Sequence, residues 1–159
     1  MHIDYLADHP EFIPTLAHWH HEQWNYLCPG DSVERRIESL HAHLERGQIP
    51  VTFVAVSGQA VLGSASLIAH DMDTRMDLSP WLASVYVASE HRRAGIGTAL
   101  VRRVIREAET LDIPALHLFT PDKESFYARL GWSVIERPEY RGYPQVVMAL
   151  SIVNRPAKR

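Results

Sequence analysis

One cysteine, Cys28, stands in a chain of 159 residues. That excludes an intrachain disulfide framework and any cysteine-rich zinc module, and it fits a reducing compartment. No apolar run approaches the roughly 18–20 residues needed to span a bilayer, so neither a membrane anchor nor a membrane partner is expected. The start, Met1-His2-Ile3-Asp4, has no cationic segment followed by an apolar one. No secretory signal is therefore visible, and a cytoplasmic location is expected. A basic excess is also missing: the net charge is −3 and the pI about 6.3. Nucleic-acid binding through net charge is not expected. Low-complexity linkers and internal repeats are absent. What remains is 46% hydrophobic and 22% charged, the composition of a globular protein. The length suits one domain, expected over residues 1–153, followed by a loose tail at 154–159.

Charge is unevenly spread. Residues 1–34 hold Asp4, Asp8, Glu11, Glu22, Asp31 and Glu34 with no Lys or Arg, a local charge of −6. Residues 91–106 hold Arg92, Arg93, Arg102, Arg103 and Arg106 with no acid, a local charge of +5. Read together, these segments suit a cationic ligand at one end and an anionic one at the other.

Periodicity supplies the elements. Ile3 and Tyr5 suggest a short first strand, and Glu11 to Leu27 follows helical spacing through Leu16, Trp19, His20 and Trp24. Pro29-Gly30 breaks that helix. Asp31 three residues before Glu34 resembles a capping box for a second helix carrying Val33, Ile37, Leu40 and Leu44, ended by Gly47. Val51–Val56 and Ala60–Ala69 read as a hairpin around Ser57-Gly58-Gln59. A polar loop follows, then a strand Trp81–Val87, an amphipathic helix Gly95–Leu111 and a buried strand Pro114–Phe119. Thr120-Pro121 starts a short helix through Leu130. Trp132–Glu136 and Gln145–Leu150 supply closing strands. The strand, helix and strand of Trp81–Phe119 make a βαβ unit, whose two strands should run parallel.

The first turn of that unit carries the chemistry. Arg92-Arg93-Ala94-Gly95-Ile96-Gly97-Thr98 lies between an apolar strand and an amphipathic helix. Two glycines let backbone N–H groups turn inward as a nest with no Cβ in the way. The helix start adds its dipole, so a pyrophosphate can be held by main-chain donors, with the arginines adding attraction. A P-loop lysine is missing, and Leu100 stands where a dinucleotide fingerprint needs a third glycine.

The spacing Arg-x-x-Gly-x-Gly, Arg92 to Gly97, resembles the acyl-coenzyme A pyrophosphate loop of the GNAT superfamily of N-acetyltransferases. A second motif agrees. Phe126-Tyr127-Ala128-Arg129-Leu130-Gly131-Trp132 is similar to the family's closing segment, and it follows Gly97 by about 30 residues, room for one helix and one strand. The resemblance is strong over 81–150 and covers essentially the whole chain. It implies a mixed α/β (α+β) fold: a mostly antiparallel sheet of six or seven strands with a splayed parallel pair, flanked by about four helices.

The resemblance also implies roles. Acetyl-coenzyme A would be the co-substrate, its pantetheine arm bonding in the splayed gap to the backbone of Val85 and Val87, with Tyr86 between them. Phe126 and Tyr127 would lie beside the thioester. A tyrosine keeps its proton at neutral pH, so Tyr127 suits the general acid that protonates the leaving thiolate. Many relatives carry a glutamate base near the start of the strand before the loop, but Trp81-Leu82-Ala83-Ser84 offers none. The remaining candidates are His70, Asp71 and Asp73, Glu22, or a water chain ending at backbone carbonyls and Ser84.

Ten histidines raise the question of a metal. On a helix His18 shares a face with His21 or Glu22 but His20 does not, and no second cluster has ligand spacing, so no metal is expected. Trp19, Trp24, Tyr26 and Trp81 are candidate liners of an acceptor pocket. The expected reaction is direct transfer of an acetyl group to a primary amine of a cationic small molecule or peptide. A homodimer is a mild expectation from the relatives. The other readings are a non-catalytic acyl-coenzyme A-binding regulatory module and, more distantly, a nucleotide-binding protein.

Overall fold

The structure, a computed structural model, describes residues 1–152; the expected boundary at 153 and the tail at 154–159 lie outside the described residues. Strand β1 (His2–Tyr5) leads through 3-10 turns into helix α1 (Ile13–Trp24), then α2 (Val33–His41). The hairpin β2 (Val51–Ser57) and β3 (Ala60–Ile68) precedes β4 (Trp81–Val87), α3 (Ile96–Thr110) and β5 (Ala115–Thr120). Helix α4 (Glu124–Arg129), β6 (Ser133–Glu136), a small hairpin of β7 (Glu139–Tyr140) and β8 (Tyr143–Pro144), and β9 (Val146–Ser151) complete the order. Seven strands form one sheet in the order β1-β2-β3-β4-β5-β9-β6. Among the described residues only β4 and β5 run parallel. The mixed sheet with one parallel pair and four helices is the architecture expected from the sequence.

Alternation along β2 sorts the two faces. Val51, Phe53 and Ala55 join Leu100, Val101 and Val104 of α3 in the main core. Val54 and Val56 join Ile13, Leu16 and Ala17 of α1 and Leu40 of α2 on the opposite face. Residues 51–56 are therefore buried on both sides, which explains their unbroken apolar and β-branched run.

Several local expectations shift. Ser32, not Asp31, caps α2 by accepting from the Arg35 N–H at 3.1 Å. Asp31 is instead drawn to Arg36 at 2.9 Å and His21 at 2.8 Å. Helix α2 ends at His41, well before Gly47, because the chain leaves the helix to place His43 Nδ1 3.1 Å from Thr52 Oγ1. Gly47 donates its N–H to Glu107 at 3.1 Å. Thr120 accepts from the Lys123 N–H at 3.1 Å, so it caps a turn, and α4 begins at Glu124. The β7–β8 hairpin was not expected from the sequence; its two-residue strands carry too little alternation to register.

Two contacts fix the frame around β4. Buried Glu107 on α3 accepts from the Tyr5 hydroxyl at 3.0 Å and from Arg103 at 3.0 Å, tying β1 and the α2–β2 loop to α3. Gly63 on β3 lies so close to β4 that a Cβ there would collide with the Tyr86 carbonyl oxygen and sit 3.2 Å from Val87 Cα. Backbone cannot yield as a side chain does. Gly63→Ala is therefore expected to cost about 1–3 kcal/mol, the usual range for overpacking, read as a lowered denaturation midpoint at unchanged slope.

Candidate active site

The parallel pair opens almost as soon as it forms. Its register holds a single pair, Trp81 opposite His117, reinforced by the His117 N–H donating to the Pro80 carbonyl at 3.1 Å. Beyond that point β4 and β5 have no further register pairs. The cause lies on the other edge of β4. Ser66 pairs with Ala83 and Ser64 with Tyr86, so three residues of β4 span two of β3. The extra residue makes a bulge, and Ser84 sits in it at φ +53°. Bulges bend the strand that carries them, which turns the end of β4 away from its partner. The backbone of Ser84–Val87 thus borders an opening in the sheet.

At the far end of β4 the glycine loop has the predicted form. Arg93 at φ +65° and Gly95 at φ +81° adopt left-handed conformations on either side of Ala94. Helix α3 begins at Ile96, and no side chain caps it. The first N–H groups of Ile96, Gly97 and Thr98 have no intrahelical acceptor, and the space where Gly95 would carry a Cβ is open. Together these features leave main-chain N–H groups at the open start of α3 without acceptors, an arrangement that can take an anion. Arg92 and Arg93 are exposed. Arg92 donates from Nε to the Val87 carbonyl at 2.8 Å and lies 5.4 Å from the Tyr86 ring centre, so one of the expected backbone acceptors is already engaged by this chain.

The two sequence motifs meet in space. A Cβ on Gly97 would lie 3.6 Å from Phe126 Cζ and 3.8 Å from Val87 Cγ2. The start of α3, the end of β4 and helix α4 therefore converge. Tyr127 follows Phe126 with ring centres 4.9 Å apart, and Trp132 lies 6.1 Å on the other side. Tyr127 is buried, and burial pushes its phenol well above the usual tyrosine range, with the Asp122 carboxylate acting in the same direction. It holds its proton throughout the physiological range.

Three loops gather on the α1 side of the sheet: residues 25–32, residues 69–80 and the β7–β8 hairpin. Arg141 donates to the Leu27 carbonyl at 3.0 Å and to Asp73 at 2.9 Å. The Tyr26 and Tyr143 rings meet edge to face at 4.8 Å. Below them Leu27, Met72, Trp81, Tyr140 and Val147 form a third apolar cluster. Trp81 is fully buried there, with Nε1 donating to the Leu78 carbonyl at 2.8 Å. Trp19 and Trp24 pack on Tyr86 at 5.3 and 6.2 Å.

Long-range pairing alters the charge picture. Asp8 pairs with Arg46, Asp31 with Arg36, Asp73 with Arg141, and Asp77 with Arg75. Two of the six acids read over residues 1–34 are thus answered by arginines from beyond that segment, and Asp73 by Arg141 of the β7–β8 hairpin. Arg141 holds the Asp73 carboxyl below the usual range, which makes it a weaker base. Glu22 and His70 are exposed. Asp71 differs: it is partly buried, and burial pushes its carboxyl up to about 6 although Arg36 and Arg141 pull it down. Among the described residues no three His, Cys, Asp or Glu side chains are grouped to hold a metal ion, and no helix is long and apolar enough to cross a membrane.

Sequence reasoning missed the part played by His20. It lies four residues after Leu16 on the apolar stripe of α1 and is 2% exposed, with Nε2 2.9 Å from Ser64 Oγ. Its place in the 3.6-residue period was the available signal.

The fold agrees with solved proteins. An aminoglycoside 6'-N-acetyltransferase complexed with coenzyme A superposes with a TM-score of 0.75 at 19% identity, over 99% of this chain and 100% of that one. A putative acetyltransferase from Salmonella typhimurium, solved with its cofactor acetyl-CoA, gives 0.74 at 18% identity, over 100% of this chain and 98% of that one. At these identities the likeness is one of fold. An acetyl transferase from Oryza sativa subsp. japonica is 38% identical over 68 residues, 40% of this chain; the chain spans only 16% of that protein. The acetyltransferase (GNAT) domain model matches residues 49–134, from the start of the β2–β3 hairpin through α4 into β6. That stretch is more than half of the chain and holds the bulge, the glycine loop and Tyr127, and on that match the chain belongs to the GNAT acetyltransferase family.

Proposed function

We propose that this protein is an acetyl-coenzyme A-dependent N-acetyltransferase that moves the acetyl group onto a primary amine of a cationic small molecule or peptide. The observation that carries the reading is the opening between β4 and β5, held at one end by Trp81–His117 and ending beside the glycine start of α3. An extended pantetheine arm with a diphosphate at one end has the shape and polarity of that groove. The N–H groups at 96–98 would take the diphosphate, Arg92 and Arg93 would flank it, and the backbone of Val85 and Val87 would bond the arm as a strand does. Phe126 would pack against the arm where it passes Gly97. The neighbours solved with coenzyme A and acetyl-CoA support this reading.

The chemistry then needs a proton acceptor and a proton donor. The amine nitrogen attacks the thioester carbonyl carbon, the carbon–sulfur bond breaks, and sulfur leaves with the electron pair. Asp71, ionised above about pH 6, takes the surplus proton of the amine, directly or through water. Tyr127 gives its proton to the departing sulfur and regains one from solvent. Asp71 also supplies a negative charge for a cationic acceptor in a loop whose Asp73 and Asp77 are paired with arginines, and the aminoglycoside enzyme among the neighbours fits that preference. Asp73, held by Arg141 and Tyr140, serves to place the hairpin against this loop.

An amine panel with acetyl-coenzyme A, read by release of free thiol, tests the proposal. Turnover is expected with polyamines, aminoglycosides or peptide amines and little with anionic acceptors. Tight cofactor binding with no turnover of any amine would instead favour a regulatory acyl-coenzyme A-binding module.

A further inference from the structure

Beneath α1 a buried chain of hydrogen bonds runs to the bulge of β4. His20 Nε2 lies 2.9 Å from Ser64 Oγ, and the Ser64 hydroxyl donates to the Ser84 carbonyl at 3.1 Å. A carbonyl only accepts, so the Ser64 proton is committed to Ser84 and Ser64 must accept from His20. Nε2 therefore carries a proton. Burial keeps the ring otherwise neutral, pushing the His20 pKa down to about 3, with Arg36 and His43 adding to the effect. Trp24 and Tyr86 close on the imidazole with ring centres at 5.3 and 6.3 Å.

The chain ends where the backbone is least self-supporting. Ser84 has φ +53°, a conformation that a residue with a Cβ adopts only under outside restraint. Neither Ser84 nor Val85 has a register partner on β3. A peptide unit is planar and trans, so the Ser84 carbonyl and the Val85 N–H point in opposite directions. With the carbonyl tied to Ser64 on β3, the Val85 N–H faces away from β3, toward the side where β5 has separated.

We propose that His20 and Ser64 are positioning residues: their hydrogen-bonded chain locks the Ser84–Val85 peptide so that the Val85 N–H stays aimed into the cleft, as a donor to the thioester carbonyl oxygen. This rests on the acetyltransferase reading above. A fixed donor aimed at developing charge needs no reorganisation during the reaction, and losing such a donor typically costs about 10²–10³-fold in kcat. Loosening it costs less.

The test compares Ser64→Ala, His20→Phe and the amide-bearing His20→Gln with wild type. Two readouts are used: steady-state kinetics, and the infrared carbonyl stretch of bound acetyl-coenzyme A carrying ¹³C at the thioester carbonyl. Wild type is expected to shift that stretch below its solution frequency. Ser64→Ala and His20→Phe should lose most of the shift and drop kcat about tenfold or more, with the KM for acetyl-coenzyme A within about threefold of wild type. His20→Gln should restore both. If Ser64→Ala does not fold, Ser64→Cys, similar in size and a weaker donor, is read in the same way. The proposal is overturned if these variants keep the shift and the rate, or lose rate only in step with cofactor affinity. Wild type that binds the thioester but acetylates no amine sinks the enzyme reading, and the infrared shift then decides the positioning role by itself. Failure of wild type to bind acetyl-coenzyme A overturns both.

Discussion

Tyr127→Phe is expected to lower kcat by about 10²–10⁴-fold, the range lost when a general acid is removed, while leaving the dissociation constant for coenzyme A within about twofold. The two outcomes separate because the hydroxyl and the ring do different things. The ring packs between Phe126 and Trp132 and belongs to the main core, and phenylalanine preserves that packing. Phenylalanine removes one oxygen and keeps the buried ring in its core cluster, so the melting temperature should hardly move. What disappears is the proton that burial keeps on the phenol. The check is single-turnover thiol release alongside calorimetric titration of coenzyme A. A variant with wild-type kcat would remove Tyr127 from the mechanism.

Asp71→Asn carries the second large effect, and it moves activity and stability in opposite directions. In the proposed role of base Asp71 works only when ionised, so wild-type kcat/KM should rise with pH through a midpoint near 6. Asparagine cannot accept the proton; activity should fall about 10²-fold or more, and that limb of the profile should vanish. Stability follows the other sign. Asp71 has a folded pKa raised above the unfolded value near ~3.9, so its contribution is intact below that pH and is lost as pH rises through about 6. At pH 7.5 the folded state therefore carries a carboxylate it would rather protonate. The neutral amide removes that cost, and the variant should gain roughly 1–2 kcal/mol, visible as a higher denaturation midpoint at pH 7.5 and no gain at pH 4. An active Asp71→Asn protein with an unchanged pH profile would point to another base.

The same residues show what was legible beforehand. The limits of β4, Trp81–Val87, could be read directly because a short apolar run bounded by turn signals is a local pattern. Helix α3 was placed within a residue at each end by its period and its glycines. The two motifs of the site, Arg92–Thr98 and Phe126–Trp132, were visible as spacing, and their approach at Gly97 and Phe126 follows from the βαβ topology they imply. Helix α2 was overextended because Leu44 keeps the helical period although the chain has already turned to join His43 to Thr52. The acidic face read over residues 1–34 was in part a property of the written order. Asp8 and Asp31 meet Arg46 and Arg36 from beyond that segment, and the loop acids Asp77 and Asp73 meet Arg75 and Arg141.

The sequence by itself determined the order of the main helices and strands apart from the small β7–β8 hairpin, the glycine turn at the start of a helix, and a protonated phenol in a second motif. Each of these depends on residues within a few positions of one another. Only the tertiary structure decided which carboxylate is lifted toward neutrality, which acids are neutralised, and that a histidine under α1 reaches the bulge at Ser84. Those properties depend on burial and on partners 20 to more than 60 positions away, as in Ser64 with Ser84 and Asp73 with Arg141. Burial and pairing are set by what folding brings alongside a group, and no local spacing encodes them.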